Sequence, residues 1–174
     1  MSGRLIVIAI VILSLLTGGA IYYLQVYHFY TRLGPEAAAD VALLPKSGGA
    51  PEQIAVADFD GVDADSSPLR YRACFRVTEG PNALMQRYET RATATPLNAP
   101  YWFSCFDARR IGEDIDAGLA QVFVAYENQP YGFDRLVAIY PDGRGFAWNE
   151  MNACGIERYE SKSFNPKCPP PVQQ

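Results

Sequence analysis

Residues 5–24, LIVIAIVILSLLTGGAIYYL, run for twenty positions without a charged side chain. Coiled as a helix, that stretch is about 30 Å long, the thickness of one hydrocarbon core. An aromatic run follows directly, with Tyr22, Tyr23, Tyr27, Phe29 and Tyr30, the residue types that sit at a membrane–water interface. Everything beyond is polar enough to be soluble. The reading is a single-span anchor over residues 1–30, with membrane lipid as its first partner, carrying one small domain. The competing reading is a cleaved signal peptide, with Arg4 as the positive start and Gly18-Gly19-Ala20 as the small-residue site. The apolar run continues past Ala20, and interfacial tyrosines have no use on a discarded peptide, so the anchor is preferred. Charge does not orient it: Arg4 and the amino terminus lie on one side, Arg32 and Lys46 on the other.

The cysteines supply the orientation. Cys74, Cys105, Cys154 and Cys168 all lie beyond the apolar segment. An even number behind such a segment reads as a disulfide framework in an oxidising compartment. The amino terminus is therefore expected in the cytoplasm and the domain in the periplasm or its equivalent. Four cysteines allow three pairings; Cys74–Cys105 with Cys154–Cys168 is preferred, each closing a modest loop. None has CxxC spacing, so a thioredoxin-like site or a zinc ribbon is not indicated.

Composition divides the rest. Residues 31–51, rich in Ala, Gly and Pro, read as a linker. Residues 52–168 are enough for one domain with a core, and residues 169–174 open on three prolines and read as an extended tail. The net charge of −4 and the lack of a large basic patch argue against nucleic-acid binding.

Within the domain, Tyr71, Ala73, Phe75 and Val77 alternate with Arg70, Arg72, Cys74 and Arg76, the pattern of a half-buried strand. Residues 82–88 suggest a short helix opened by Pro81. Residues 107–119 suggest the best helix of the domain, with Ile111, Ile115 and Leu119 on one face and Asp107 as cap. Residues 121–126 and 135–140 read as strands. Pro141-Asp142-Gly143 marks a tight turn, and residues 145–148 return as the hairpin partner. The expected fold class is α+β: an N-terminal single transmembrane helix, then a small disulfide-stapled domain with a mainly antiparallel sheet and one or two helices.

Residues that carry chemistry are few. His28 is the single histidine, at the membrane edge, so Ser-His-Asp and Cys-His machinery have no base in the domain. Neither a phosphate-binding loop nor a methionine–histidine copper cluster is present in the sequence. Asp58, Asp60, Asp63 and Asp65 offer four carboxylates for a calcium loop, but positions six and twelve hold Asp63 and Leu69 where an EF-hand needs glycine and a carboxylate. An acidic turn facing Arg70, Arg72 and Arg76 is the plainer reading. Glu113, Asp114 and Asp116 follow Arg109 and Arg110 as a solvated helix face does. The expectation is no enzyme, no cofactor and no metal. Tyr101, Trp102, Phe103 and Phe106 around Cys105 read as core beside a disulfide. Two other features suggest contacts: Ser14 and Gly18, a small-xxx-small pair where a second helix could pack, and a loop carrying Tyr131 and Phe133.

Asp63–Phe75, Trp102–Asp107, Tyr131–Ala138, Asp142–Gly145 with Trp148, and Cys168–Pro170 resemble a family of short alphaproteobacterial proteins of unknown function. The resemblance covers nearly the whole chain and implies cell type and compartment rather than a reaction. Some members carry the name histidine kinase, which a chain with one membrane-edge histidine and no ATP-binding module contradicts.

The functional expectation is a non-catalytic accessory or assembly subunit of an inner-membrane protein complex. Size, topology and lineage make respiratory complexes, cytochrome c oxidase among them, the partner class. The alternative is a membrane-anchored periplasmic ligand-binding or sensing module, which needs a formed pocket. An envelope enzyme working with carboxylates alone and a calcium-stabilised structural domain are the remaining readings.

Overall fold

The computed structural model describes residues 2–160, 166 and 168–170. Helix α1, Gly3–Tyr23, contains no residue buried by the rest of the protein. It widens into a π-helical turn over Leu24–His28, where the Phe29 amide donates to the Leu24 carbonyl. The apolar helical stretch thus spans Gly3–His28, long and apolar enough by length and composition to cross a membrane.

Strands β1 (Thr31–Leu33), β4 (Val56–Asp63), β5 (Arg72–Val77), β6 (Thr90–Arg91), β7 (Gln121–Tyr126), β8 (Phe133–Ile139) and β9 (Arg144–Met151) form one antiparallel sheet, in the order β1-β4-β5-β9-β8-β7-β6. A two-stranded ribbon, β2 (Ala42–Leu43) with β3 (Glu52–Gln53), pairs separately and packs against it. The helices of the domain are α2 (Pro81–Leu84), α3 (Ala108–Asp116) and α4 (Ala153–Glu160).

Period-2 alternation sends each strand's side chains to two different cores. Cys74, Leu136, Ala138, Phe146 and Trp148 pack with Phe103, Phe106, Ile111 and Ile115 from α3 and the segment before it. On the opposite face Tyr71, Ala73, Phe75, Val137, Ile139 and Ala147 pack with Val41, Leu43, Leu84 and Tyr88. The sheet is the middle of three layers, so β5 is buried on both faces rather than half-buried. Arg72 and Cys74, expected on the open side, are 3% and 9% exposed.

Asp107 caps α3, its carboxylate accepting from the Arg110 amide. That helix stops at Asp116, before Leu119, which stays exposed. The Tyr140–Arg144 turn closes as its residues require, with Gly143 at φ +84°. Among the described residues the domain has three α-helices where one or two helices were expected. Helix α4 was missed because it opens on Ala-Cys-Gly, and glycine is a poor helix former. Asn152 compensates as its cap, accepting from the Cys154 and Gly155 amides.

The linker expected over residues 31–51 is part of the domain. Thr31–Leu33 pairs with Gly61–Asp63, and Val41, Ala42 and Leu43 are at most 3% exposed. Composition misled because the Ala- and Pro-rich stretch forms a 3-10 helix, Pro35–Asp40, between the edge strand β1 and the buried β2. Of the tail 169–174, residues 171–174 lie outside the described residues.

Candidate functional site at the helix–domain junction

Two residues, Phe29 and Tyr30, separate the end of the helix from β1. A helix end leaves its last carbonyls without partners, and the domain supplies them. The Trp102 indole N–H donates to the Val26 carbonyl at 2.7 Å. Arg70 donates to the Gln25 side-chain oxygen at 2.7 Å and to the Gln25 carbonyl at 3.4 Å. A cation at a helix C-terminus also meets the negative end of the macrodipole.

Aromatic rings fill the space between. Trp102 stacks on Tyr27, centroids 6.4 Å apart at 14°, and meets Tyr30 edge-on at 5.9 Å. Arg32 lies over the Trp102 ring at 5.4 Å and Arg70 over Tyr30 at 5.1 Å. Each such contact contributes of the order of 0.5–1 kcal/mol.

The loop that brings Trp102 to this place is held from behind. The Cys74–Cys105 disulfide ties it to the middle of β5. Arg72 donates to the carbonyls of Leu97, Asn98, Leu69 and Tyr71 and lies over Phe106. Burial pushes its guanidinium down to about 10, so it keeps its charge at neutral pH. The second disulfide, Cys154–Cys168, ties α4 to the chain end.

Ser14 and Gly18 lie one turn apart and are exposed, with nothing within 4 Å of a side chain built at Gly18. Their face is open. The Tyr131–Phe133 contact loop requires correction. Phe133 opens β8, is 5% exposed and lies against Tyr159, with centroids 5.7 Å apart. Only Tyr131 stays half-exposed, so the loop does not present two rings. The cause is the strand's start, which is two residues earlier than its Arg135-Leu136 pattern suggested. The aspartates do not gather: Asp58 faces Arg76 at 3.8 Å, Asp60 faces Arg32 at 3.7 Å, and Asp63 accepts from the Ala64 amide. Among the described residues no three potential metal ligands come together.

A second feature was missed in the sequence. Asp134, 3% exposed, accepts from Arg91, from the Asn128 amide and from the Asn152 side chain. This network floors an open depression of about 1010 Å³, bordered by Glu127, Glu150 and Met151. Its polar residues come from four separate segments, so no local spacing signalled it. Trp102 was missed as a junction residue because an aromatic beside a cysteine reads as core; the Pro100-Tyr101-Trp102 tandem of exposed-prone rings was the available signal.

Residues 41–169 match the profile of DUF6446, a family of unknown function, and the chain belongs to that family. The matched region includes Arg70 and Trp102 but not the helix they hold. Comparison with curated proteins and with solved structures gives no match.

Proposed function

We propose that the chain is a non-catalytic accessory or assembly subunit of a bacterial inner-membrane protein complex. Its helix spans the bilayer with the amino terminus in the cytoplasm, and its domain stands in the periplasm. The single observation that carries this reading is the junction. Helix and sheet are joined through two residues and clamped by Trp102 and Arg70, which suits a subunit that holds a fixed pose beside a partner. The disulfides fit an oxidising compartment. The open Ser14–Gly18 face suits close approach by a second helix. The partner class is a respiratory complex such as cytochrome c oxidase.

The test is native isolation of the full chain from gently solubilised membranes. Wild type should travel with an integral complex. Gly18→Leu should insert, keep both disulfides and copurify less, since leucine is well tolerated in hydrocarbon yet fills the groove. Copurification of Gly18→Leu at the wild-type level would remove the helix face from the proposal. Isolation of the chain alone, with its disulfides intact, would refute the accessory role.

A second reading, a periplasmic ligand-binding module, is favoured by the depression over Asp134. It requires a small polar ligand that raises the melting temperature of wild type and not of Asp134→Asn.

A further inference from the structure

We infer that the turn bearing Tyr101 is the domain's own share of the interfacial aromatic belt, so that the domain rests on lipid at the acyl–headgroup boundary. The inference rests on the membrane reading of the helix and adds a second lipid contact, made by the folded domain.

Height is the first argument. The apolar run ends at Leu24, before Gln25, and Tyr27 lies three residues on, no more than about 4.5 Å further along the axis. The interfacial layer on each side of the hydrocarbon core is about 5–7 Å thick. Tyr27 therefore falls within that layer. The Tyr101 ring sits edge-on to Tyr27 with centroids 6.0 Å apart, so its height differs from that of Tyr27 by no more than about the thickness of that layer.

Exposure is the second. Tyr101 is 67% exposed, whereas Trp102 beside it is half-buried and Phe103 is 2% exposed. The turn is fixed by the Phe103 amide donating to the Pro100 carbonyl and by the Trp102 bond to Val26. A large ring is thus held outward by a rigid support, next to a helix already read as membrane-bound.

Continuity is the third. Tyr23 stacks on Tyr27 at 5.9 Å, and Tyr22 meets it edge-on at 6.4 Å. Tyr22, Tyr23, Tyr27 and Tyr101 form one strip of rings running from helix to domain. Tyrosine suits this place, with an apolar body for the acyl region and a hydroxyl for the headgroups. Of the neighbouring cations, Arg32 faces Asp60 at 3.7 Å, and Arg70 is held by the Gln25 oxygens and the Tyr30 ring. The contact is therefore carried by rings rather than by net charge, and is insensitive to salt.

The experiment uses the full chain in phosphatidylcholine vesicles whose acyl chains are brominated either near the headgroup or near the bilayer centre. Tyr101→Trp is compared with wild type, so that the difference in emission reports position 101. The added emission should be blue-shifted and lose most of its intensity to the headgroup-proximal quencher, little to the central one, at low and high salt alike. In Tyr101→Ser, with flotation and disulfides retained, quenching of Trp102 by the shallow quencher should fall. Added emission that is unquenched, or quenched more strongly from the bilayer centre, overturns the inference while the anchor stands. Failure of the wild-type chain to float with the vesicles overturns the anchor reading, and the inference with it.

Discussion

Removing the Cys74–Cys105 bridge by the double substitution Cys74→Ala, Cys105→Ala should weaken the domain by about 3–4 kcal/mol. The bridge joins positions 31 apart in sequence. Chain-entropy reasoning gives about 3.7 kcal/mol at 25 °C for a loop of that length, and about 3.0 kcal/mol for the 14-residue separation of Cys154–Cys168. The native fold should persist. Phe103 and Phe106 remain in the core, and Arg72 still holds Leu97 and Asn98 by their carbonyls. Domains of this size are commonly stable by roughly 5–15 kcal/mol, so the variant stays folded at room temperature. Urea titration of the full chain in detergent, followed by the fluorescence of the fully buried Trp148, measures the loss. With a slope near 2 kcal/mol per molar, the midpoint should fall by about 2 M. The corresponding Cys154, Cys168 double variant should fall less. A reversed order would refute the loop-length argument and assign the larger effect to the docking of α4.

Other outcomes can be checked separately. Asp134→Ala leaves Arg91 and the Asn152 amide without their shared acceptor and should cost about 3–5 kcal/mol by denaturant titration, more than Asp134→Asn. Burial raises the Asp63 carboxyl above the usual carboxylate range, so its ionised form opposes folding. The penalty is present at neutral pH and disappears as pH falls below the unfolded-state value. Asp63→Asn should therefore stabilise the protein near neutrality, with the gain shrinking towards acid in melting curves. Gly155→Ala would place a methyl group on the Gly132 carbonyl oxygen and should cost about 1–3 kcal/mol, measured by thermal unfolding. Trp102→Ala removes a hydrogen bond and two ring contacts from the junction, about 2–3 kcal/mol. Tryptic cleavage after Arg32 should accelerate about 30- to 150-fold while the domain's circular dichroism is unchanged.

Much of the fold was legible because its signals are local. The β5 alternation, the Asp107 cap and the Pro141-Asp142-Gly143 turn are each written within about ten residues and the uncharged helix within twenty consecutive ones, and the structure has all four. The signals that failed involve tertiary placement. Nothing in Arg72 says that a charged residue will be buried among carbonyls. Nothing in Thr31–Leu33 says that three residues at the end of a helix will pair with a strand thirty positions on. The candidate site was less legible. Ser14 and Gly18 were read from spacing on one helix, but the junction unites Gln25, Arg70 and Trp102, which only the folded sheet brings together.

The two-residue passage from helix to sheet also sets the protein's reach. A flexible connector over residues 31–51 would have let the domain wander about 25 Å from its root, by the random-coil scaling of such chains. With those residues folded, that freedom is gone, and a turn of the helix about its axis is a turn of the sheet. The molecule is a head on a stiff stalk. Under the proposed membrane reading, a partner would come alongside the stalk, at one height and with one side of the head forward, and would have to match both in a single approach.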